Sequence, residues 1–180
     1  MNRRQILLLS SLGLAASVPL ITTRLQAQNS IDDDTMTTEK KMLQLDPHPD
    51  VIEPFELDVA DWKMRLDELA FSVLRKEGTE RPFTSPLNDE KREGEFACAG
   101  CNLVLTTSEY KFDSGTGWPS YWNMIESRIE TKKDFKMLLP RTEYHCARCG
   151  GHQGHVFNDG PAPTGLRYCN NGVALKFIPA

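Results

Sequence analysis

Two Cys-x-x-Cys pairs, Cys98-Ala-Gly-Cys101 and Cys146-Ala-Arg-Cys149, constrain this 180-residue chain more than any other feature. Two thiolates three positions apart converge on one metal ion through a tight turn, and two such turns complete a tetrahedral shell of four sulfurs. The pairs stand farther apart than in a compact zinc ribbon, so each is expected to cap its own hairpin, with the metal stapling the two together. The same spacing also suits disulfides, which an exported protein can form, or a redox dithiol of the thioredoxin sort. Neither pair opens a helix after a strand, so structural zinc is the preferred reading. In that reading all four sulfurs are ligands, and the closed shell argues against a zinc hydrolase, which needs an open metal position.

The N-terminus reads as an address. Residues 1–27 open with Arg3-Arg4 and continue through an uncharged apolar stretch from Ile6 to Ile21, interrupted by Ser, Gly and Pro. That is the pattern of a secretory signal of twin-arginine type, which exports proteins already folded. Cleavage is expected after Ala27; retention as a membrane anchor is the alternative, since Leu25 is larger than the small residue expected there. Residues 28–50, with Asp32-Asp33-Asp34 and no apolar period, read as a flexible tether. One domain, 51–180, remains. Arg3, Arg4 and Arg24 are the charges of the first thirty residues, and without them 18 basic residues face 25 acidic, a net charge of −7. This excludes a basic nucleic-acid footprint and attraction to anionic lipid. No apolar run beyond residue 31 approaches a membrane span of roughly 20 residues, so the body is expected to be soluble, and a monomer.

Within the domain, Leu66, Leu69, Ala70, Val73 and Leu74 recur at helical spacing, with Asp61 as a cap and Gly78 as a stop. Trp62 to Leu66 is either the first turn or a separate extended piece, in which case Asp67 stands nearer the start. After Gly78 the signals change to short strands punctuated by Gly, Pro, Asn and Asp, with turns around Pro86 to Lys91 and Pro119 to Asn123. Mostly antiparallel β-structure is expected, with a strand over Ser127 to Lys133 and one or two over Leu166 to Ile178.

Four of the five cysteines are accounted for, which leaves Cys169 in GLRYCNNGVALKF. If that stretch is extended, Arg167, Cys169 and Asn171 share one face. A guanidinium beside a thiol favours thiolate, and an amide can stabilise developing charge. The other reading is a buried cysteine packing as a small hydrophobe. His152 and His155, in GGHQGHVFNDGP directly after the second pair, are expected in a Gly-rich turn held by the metal. They are proton carriers, satisfied loop residues, or in one case a zinc ligand in place of a cysteine. Trp118, in FDSGTGWPSYW, is either a core plug or the wall of an apolar pocket that suits an S-methyl group.

Taken together, CAGC, KFDSGTGWPSYW, RTEYHCARCGGHQGHVFNDGP and GLRYCNNGVALKF resemble the B-type peptide-methionine sulfoxide reductases in order and spacing, over about Trp62 to Phe177. The resemblance implies a mainly β fold of two small antiparallel sheets with a short N-terminal helix and a structural Zn2+ held by Cys98, Cys101, Cys146 and Cys149, remote from the active site. It implies reduction of the R epimer of methionine sulfoxide, free or in oxidised proteins. Cys169 corresponds to the attacking cysteine, which becomes a sulfenic acid. Trp118 corresponds to the residue that packs on the substrate methyl. His152 and His155 correspond to those that bind or protonate the sulfoxide oxygen through water, and Arg167 and Asn171 to flanking residues of the active face. Thr116 stands where many members carry a resolving cysteine, so recycling by an external, thioredoxin-like thiol donor is expected. Gly172-Val173-Ala174 also departs from the usual serine-containing stretch. The rival reading is a zinc-stapled binding module without turnover, which has no need of Cys169 beside Arg167 and Asn171.

Overall fold

The computed structural model of the chain describes residues 45–136 and 140–180. The expected signal, 1–27, and most of the expected tether lie outside these. The last residues of that tether are fastened to the domain: the Pro47 carbonyl accepts from Val104 N at 3.1 Å and from Arg128 Nη1 at 2.8 Å, and the Asp46 carbonyl accepts from Arg148 Nη2 at 2.7 Å. The folded body therefore starts ahead of residue 51. No helix among the described residues is long and apolar enough to cross a membrane.

The single helix expected around Leu66–Leu74 is two. Helix α1, Val59–Arg65, begins at Asp58, whose carboxylate accepts from Asp61 N. Helix α2, Glu68–Lys76, begins at Asp67, whose carboxylate accepts from Ala70 N at 2.7 Å. Asp61 is thus inside the first helix, and the Asp that caps each helix satisfies backbone N–H groups that have no partner within it. Leu66, extended at φ −111°, separates them. The left-handed turn that ends α2 falls on Glu77 rather than Gly78. Helix α2 buries Ala70, Phe71, Val73 and Leu74, and Trp62 of α1 is buried under the Arg75 guanidinium, 4.7 Å from its ring.

Among the described residues nine strands follow, every pair antiparallel. They are β1 Gly94–Cys98, β2 Val104–Thr107, β3 Lys111–Phe112, β4 Ser120–Tyr121, β5 Ile129–Asp134, β6 Arg141–Cys146, β7 His152–Phe157, β8 Arg167–Asn170 and β9 Leu175–Pro179. One sheet runs β2-β1-β9 and the other β3-β4-β8-β7-β6-β5. The turn expected around Pro119 is in part strand β4, while Pro86–Asn88 is a 3-10 turn. The stretch from Leu166 yields two strands that belong to different sheets, divided by a 3-10 turn at Gly172–Ala174. Phe96, Leu103, Val104, Leu105, Tyr121 and Tyr144 are fully buried and form the core along with the underside of α2.

Each cysteine pair closes a hairpin. Cys98 ends β1 and Cys146 ends β6; the Cys98 carbonyl accepts from Asn102 N and the Cys146 carbonyl from Gly150 N, each at 2.8 Å. The first hairpin lies in one sheet and the second in the other, so the four sulfurs meet where the sheets meet.

Candidate active site

The metal centre and the fifth cysteine are separate places. The four buried sulfurs all lie within 4.8 Å of one another, with Cys98 Sγ 3.7 Å from Cys149 Sγ and Cys101 Sγ 3.5 Å from Cys146 Sγ. Sulfurs held at about 2.3 Å from a tetrahedral ion stand about 3.8 Å apart, so the spacing fits one metal ion. It does not fit disulfides, whose sulfurs lie about 2.05 Å apart, and all five cysteines are free thiols. Neither histidine joins the cluster.

Cys169 sits on β8 between β4 and β7, paired with Ser120 on one side and His155 on the other. Directly opposed residues of neighbouring strands put their side chains on the same face. That register places the imidazole of His155 beside the thiol in a pocket that Trp118, Phe157, Arg141, Asn171 and Thr79 also line. Gly154 lets β7 come this close, because a Cβ there would stand 1.9 Å from the Cys169 carbonyl oxygen.

His152 and His155 lie in strand β7, not in a turn. Residues three apart on a regular strand face opposite ways. Here the register with β6 slips between Tyr144 and His145, leaving Gln153 as an extra residue, and the bulge turns both rings to one side, 5.4 Å apart. The Asp134 carboxylate lies 2.8 Å from His155 Nε2, and the Glu143 carboxylate 2.8 Å from His152 Nδ1. These acceptors fix which nitrogen donates: His155 Nε2–H donates to Asp134, and His152 Nδ1–H donates to Glu143, leaving its Nε2 with a lone pair. His152 Nε2 is buried with no partner. Burial, opposed by the bond to Glu143, holds His152 below the usual imidazole range, so the ring is neutral near pH 7. His152 thus lies behind the pocket and His155 on its wall.

Arg167 and Cys169 share a face, as strand alternation requires. The guanidinium is committed: Nε and Nη2 each donate to the Asp159 carboxylate at 2.9 Å, and the group stacks on Phe157 at 4.4 Å. Burial pushes the Cys169 thiol up from its ordinary value. The Arg167 charge and a hydrogen bond from the Thr116 hydroxyl pull it down, and the Asp159 charge adds to the upward push. The sign expected of Arg167 is right, yet desolvation outweighs it, so the resting thiol is protonated. Thr116 belongs to a chain of hydroxyls in which Ser114 Oγ stands 2.8 Å from both Thr116 Oγ1 and Ser120 Oγ.

Asn171 lies one residue beyond β8, where its side chain is fastened to backbone: Oδ1 accepts from Glu80 N and Nδ2 donates to the Gln153 carbonyl, each at 3.0 Å. Trp118 Nε1 donates to the Glu80 carbonyl at 3.2 Å. Glu80 itself is buried, and its carboxylate accepts from Gly172 N and from Val173 N at 3.1 Å.

Residues 66–179 match the SelR domain family. This chain is a member of the MsrB family. The peptide methionine sulfoxide reductase MsrB of Bradyrhizobium diazoefficiens is 42% identical over 149 residues, which span 82% of this chain and 98% of that protein. The MsrB of Pseudomonas putida W619 is 52% identical over 121 residues, 66% of this chain and 90% of that protein. The MsrB of Methanosarcina barkeri is 50% identical over 118 residues, 65% of this chain and 83% of that protein. As an MsrB-family enzyme, the protein is a peptide methionine sulfoxide reductase, and the pocket over Cys169 is its candidate active site.

Sequence reasoning brought Cys169, Trp118, His155 and Asn171 to this MsrB pocket, with His152 and Arg167 just behind it. It missed the carboxylates of Glu80, Asp134, Glu143 and Asp159. Asp159 carried a faint signal, being an acid after a strand and just ahead of the one arginine of the active face. Asp134 and Glu143 carried none, because only the register of β5, β6 and β7 brings them to the histidines.

Proposed function

We propose that this enzyme reduces the R epimer of methionine sulfoxide through Cys169. The observation that carries the reading is that the only thiol outside the metal cluster lies in a pocket with an indole, an imidazole and an amide. Trp118 receives the S-methyl group, which suits an aromatic face. The Cys169 sulfur attacks the sulfoxide sulfur, the sulfoxide S–O bond breaks, and the oxygen ends on Cys169 as a sulfenic acid, with the thiol proton returning to it. Methionine leaves as the thioether. The Cys169 sulfur gives up two electrons and the methionine sulfur gains them. His155, oriented by Asp134, relays the proton through water to the sulfoxide oxygen, with the neutral His152 ring packed behind it. Arg167 and Asn171 stabilise charge on the sulfur and oxygen as they exchange partners.

Thr116 occupies the place from which a second cysteine would capture the sulfenic acid, so the oxidised enzyme is recycled by an external thioredoxin-like dithiol. One thiol condenses with the sulfenic acid, releasing water and leaving a mixed disulfide; the second displaces Cys169. The four-cysteine cluster holds one Zn2+ with a structural role, since no ligand position stays open. The substrate is oxidised protein or free methionine sulfoxide, the enzyme acts as a monomer, and residues 1–27 direct it out of the cytoplasm by the twin-arginine route.

The deciding experiment measures turnover of separated R and S epimers of a methionine sulfoxide peptide with dithiothreitol, for the zinc-loaded protein and Cys169→Ser. R-selective turnover that vanishes in the variant is expected. Equal turnover of both epimers, or activity that survives in Cys169→Ser, would sink the reading.

A further inference from the structure

Gln153 connects the two places that the fold otherwise keeps apart. It is the extra residue of the bulge in β7 and is fully buried. Both hydrogens of its side-chain nitrogen are used: Nε2 donates to Cys98 Sγ and to the Gly151 carbonyl, each at 3.4 Å. Among the described residues its Oε1, also buried, has no hydrogen-bond partner. A buried carbonyl with no donor is unfavourable, and an apolar side chain of the same length would fill the space without it. What only the glutamine offers here is an N–H directed at sulfur. A thiolate bound to a metal ion carries negative charge and accepts such a bond more strongly than a thiol does. The main chain of Gln153 faces the other site: its carbonyl accepts from Asn171 N at 2.9 Å and from Asn171 Nδ2 at 3.0 Å. Asn171, Gly154 and His155 all line the Cys169 pocket. A single residue thus runs from a cluster sulfur to the pocket wall.

We infer that Gln153 is a positioning residue through which the four-cysteine metal cluster seats Asn171 in the wall of the Cys169 pocket. The bond from Nε2 to Cys98 Sγ pins the bulge, and the carbonyl of the pinned residue takes the backbone N–H of Asn171 and one N–H of its side-chain amide. The other end of that amide, Oδ1, accepts from Glu80 N. The amide is therefore held from two directions, and Gln153 supplies one of them. The inference rests on the zinc reading of the cluster and on the proposed role of Asn171 beside the reacting sulfur. It gives the metal a second duty: besides joining two hairpins, it sets the geometry in which the substrate is captured.

The test uses Gln153→Leu and Gln153→Met, which keep the volume and remove the donor; the unbranched Met follows the path of the glutamine chain should the Leu variant fold poorly. In protein loaded with Co2+ in place of Zn2+, the thiolate-to-cobalt charge-transfer band is expected to move to longer wavelength, because loss of an N–H···S bond raises the energy of the sulfur lone pair. In zinc-loaded protein with dithiothreitol, KM for an (R)-methionine sulfoxide peptide is expected to rise about tenfold. The rate of iodoacetamide alkylation at Cys169 should stay at the wild-type value, since Arg167 and Thr116 are untouched. In an Asn171→Ala background, Gln153→Met should raise KM further by about twofold at most, because the residue it positions is gone. An unmoved charge-transfer band would show that no bond reaches the sulfur, and overturns the inference. An unmoved KM in a variant with full zinc, even one that melts lower, overturns it too and leaves Gln153 as packing alone. Tenfold effects that multiply in the double variant overturn the route through Asn171. A wild type that does not reduce the peptide overturns the functional reading and this one with it.

Discussion

At Cys169 two opposing effects act on one atom, and their balance makes a measurable prediction. Burial favours the neutral thiol, while Arg167 and the Thr116 hydroxyl favour the anion. The thiol is raised in the folded protein, so thiolate appears only as pH climbs past the ordinary cysteine range near 8.5. The rate of iodoacetamide alkylation at Cys169 in the zinc-loaded protein should rise with a midpoint above that of a free cysteine, and Arg167→Ala should move the midpoint higher still. A midpoint below that of free cysteine would show that the charge outweighs burial. Strand alternation alone made the pairing of Arg167 with Cys169 legible, since it needs only a period of two. The histidines were harder. His152 and His155 owe their common side to one bulge at Gln153, and a bulge leaves no mark in a stretch that also reads as a Gly-rich turn.

Among the elements, α2 shows what a pattern of apolar residues can and cannot fix. The stripe Ala70, Val73 and Leu74 announces a buried face, and these residues are buried. The break at Leu66 was ambiguous because two Asp residues, Asp61 and Asp67, could each begin a helix, and a third, Asp58, proved to cap the first. Asp67→Ala removes the acceptor for Ala70 N at the helix start and should destabilise the protein by about 1 kcal/mol, a drop of roughly 3–5 °C in melting temperature, without changing the ratio of peptide to free-substrate turnover. Thermal unfolding followed by circular dichroism checks the first part and steady-state kinetics the second. A loss of several kcal/mol would mean that Asp67 holds more than the cap. Strands β5 and β9 were also legible, whereas β3 and β4, two residues each, are too short to show any period.

At the scale of the molecule the four cysteines are the link between the sheets. One pair ends β1 in the three-stranded sheet and the other ends β6 in the six-stranded sheet, so withdrawing the metal releases both hairpin ends at once. Prolonged chelation of the reduced protein should lower the melting temperature sharply and abolish turnover, with both restored by added Zn2+. Cys98→Ser should reproduce the loss, and in that variant added Zn2+ should not repair it. A Cys98→Ser protein that keeps stoichiometric zinc and wild-type melting would remove Cys98 from the ligand set. The existence of the link was readable from the doubled Cys-x-x-Cys. Which sheets it joins depends on pairings between distant strands, and those no local pattern encodes.

The order of strands in the smaller sheet has a temporal side. Its central strand, β1, starts at Gly94, while one of its neighbours, β9, spans Leu175–Pro179, with every strand of the larger sheet between them in the chain. During synthesis β1 therefore waits until every strand of the larger sheet has been made before that flank can be zipped. The smaller sheet cannot close from its front end alone, and a chain lacking β9 would leave β1 with an open flank.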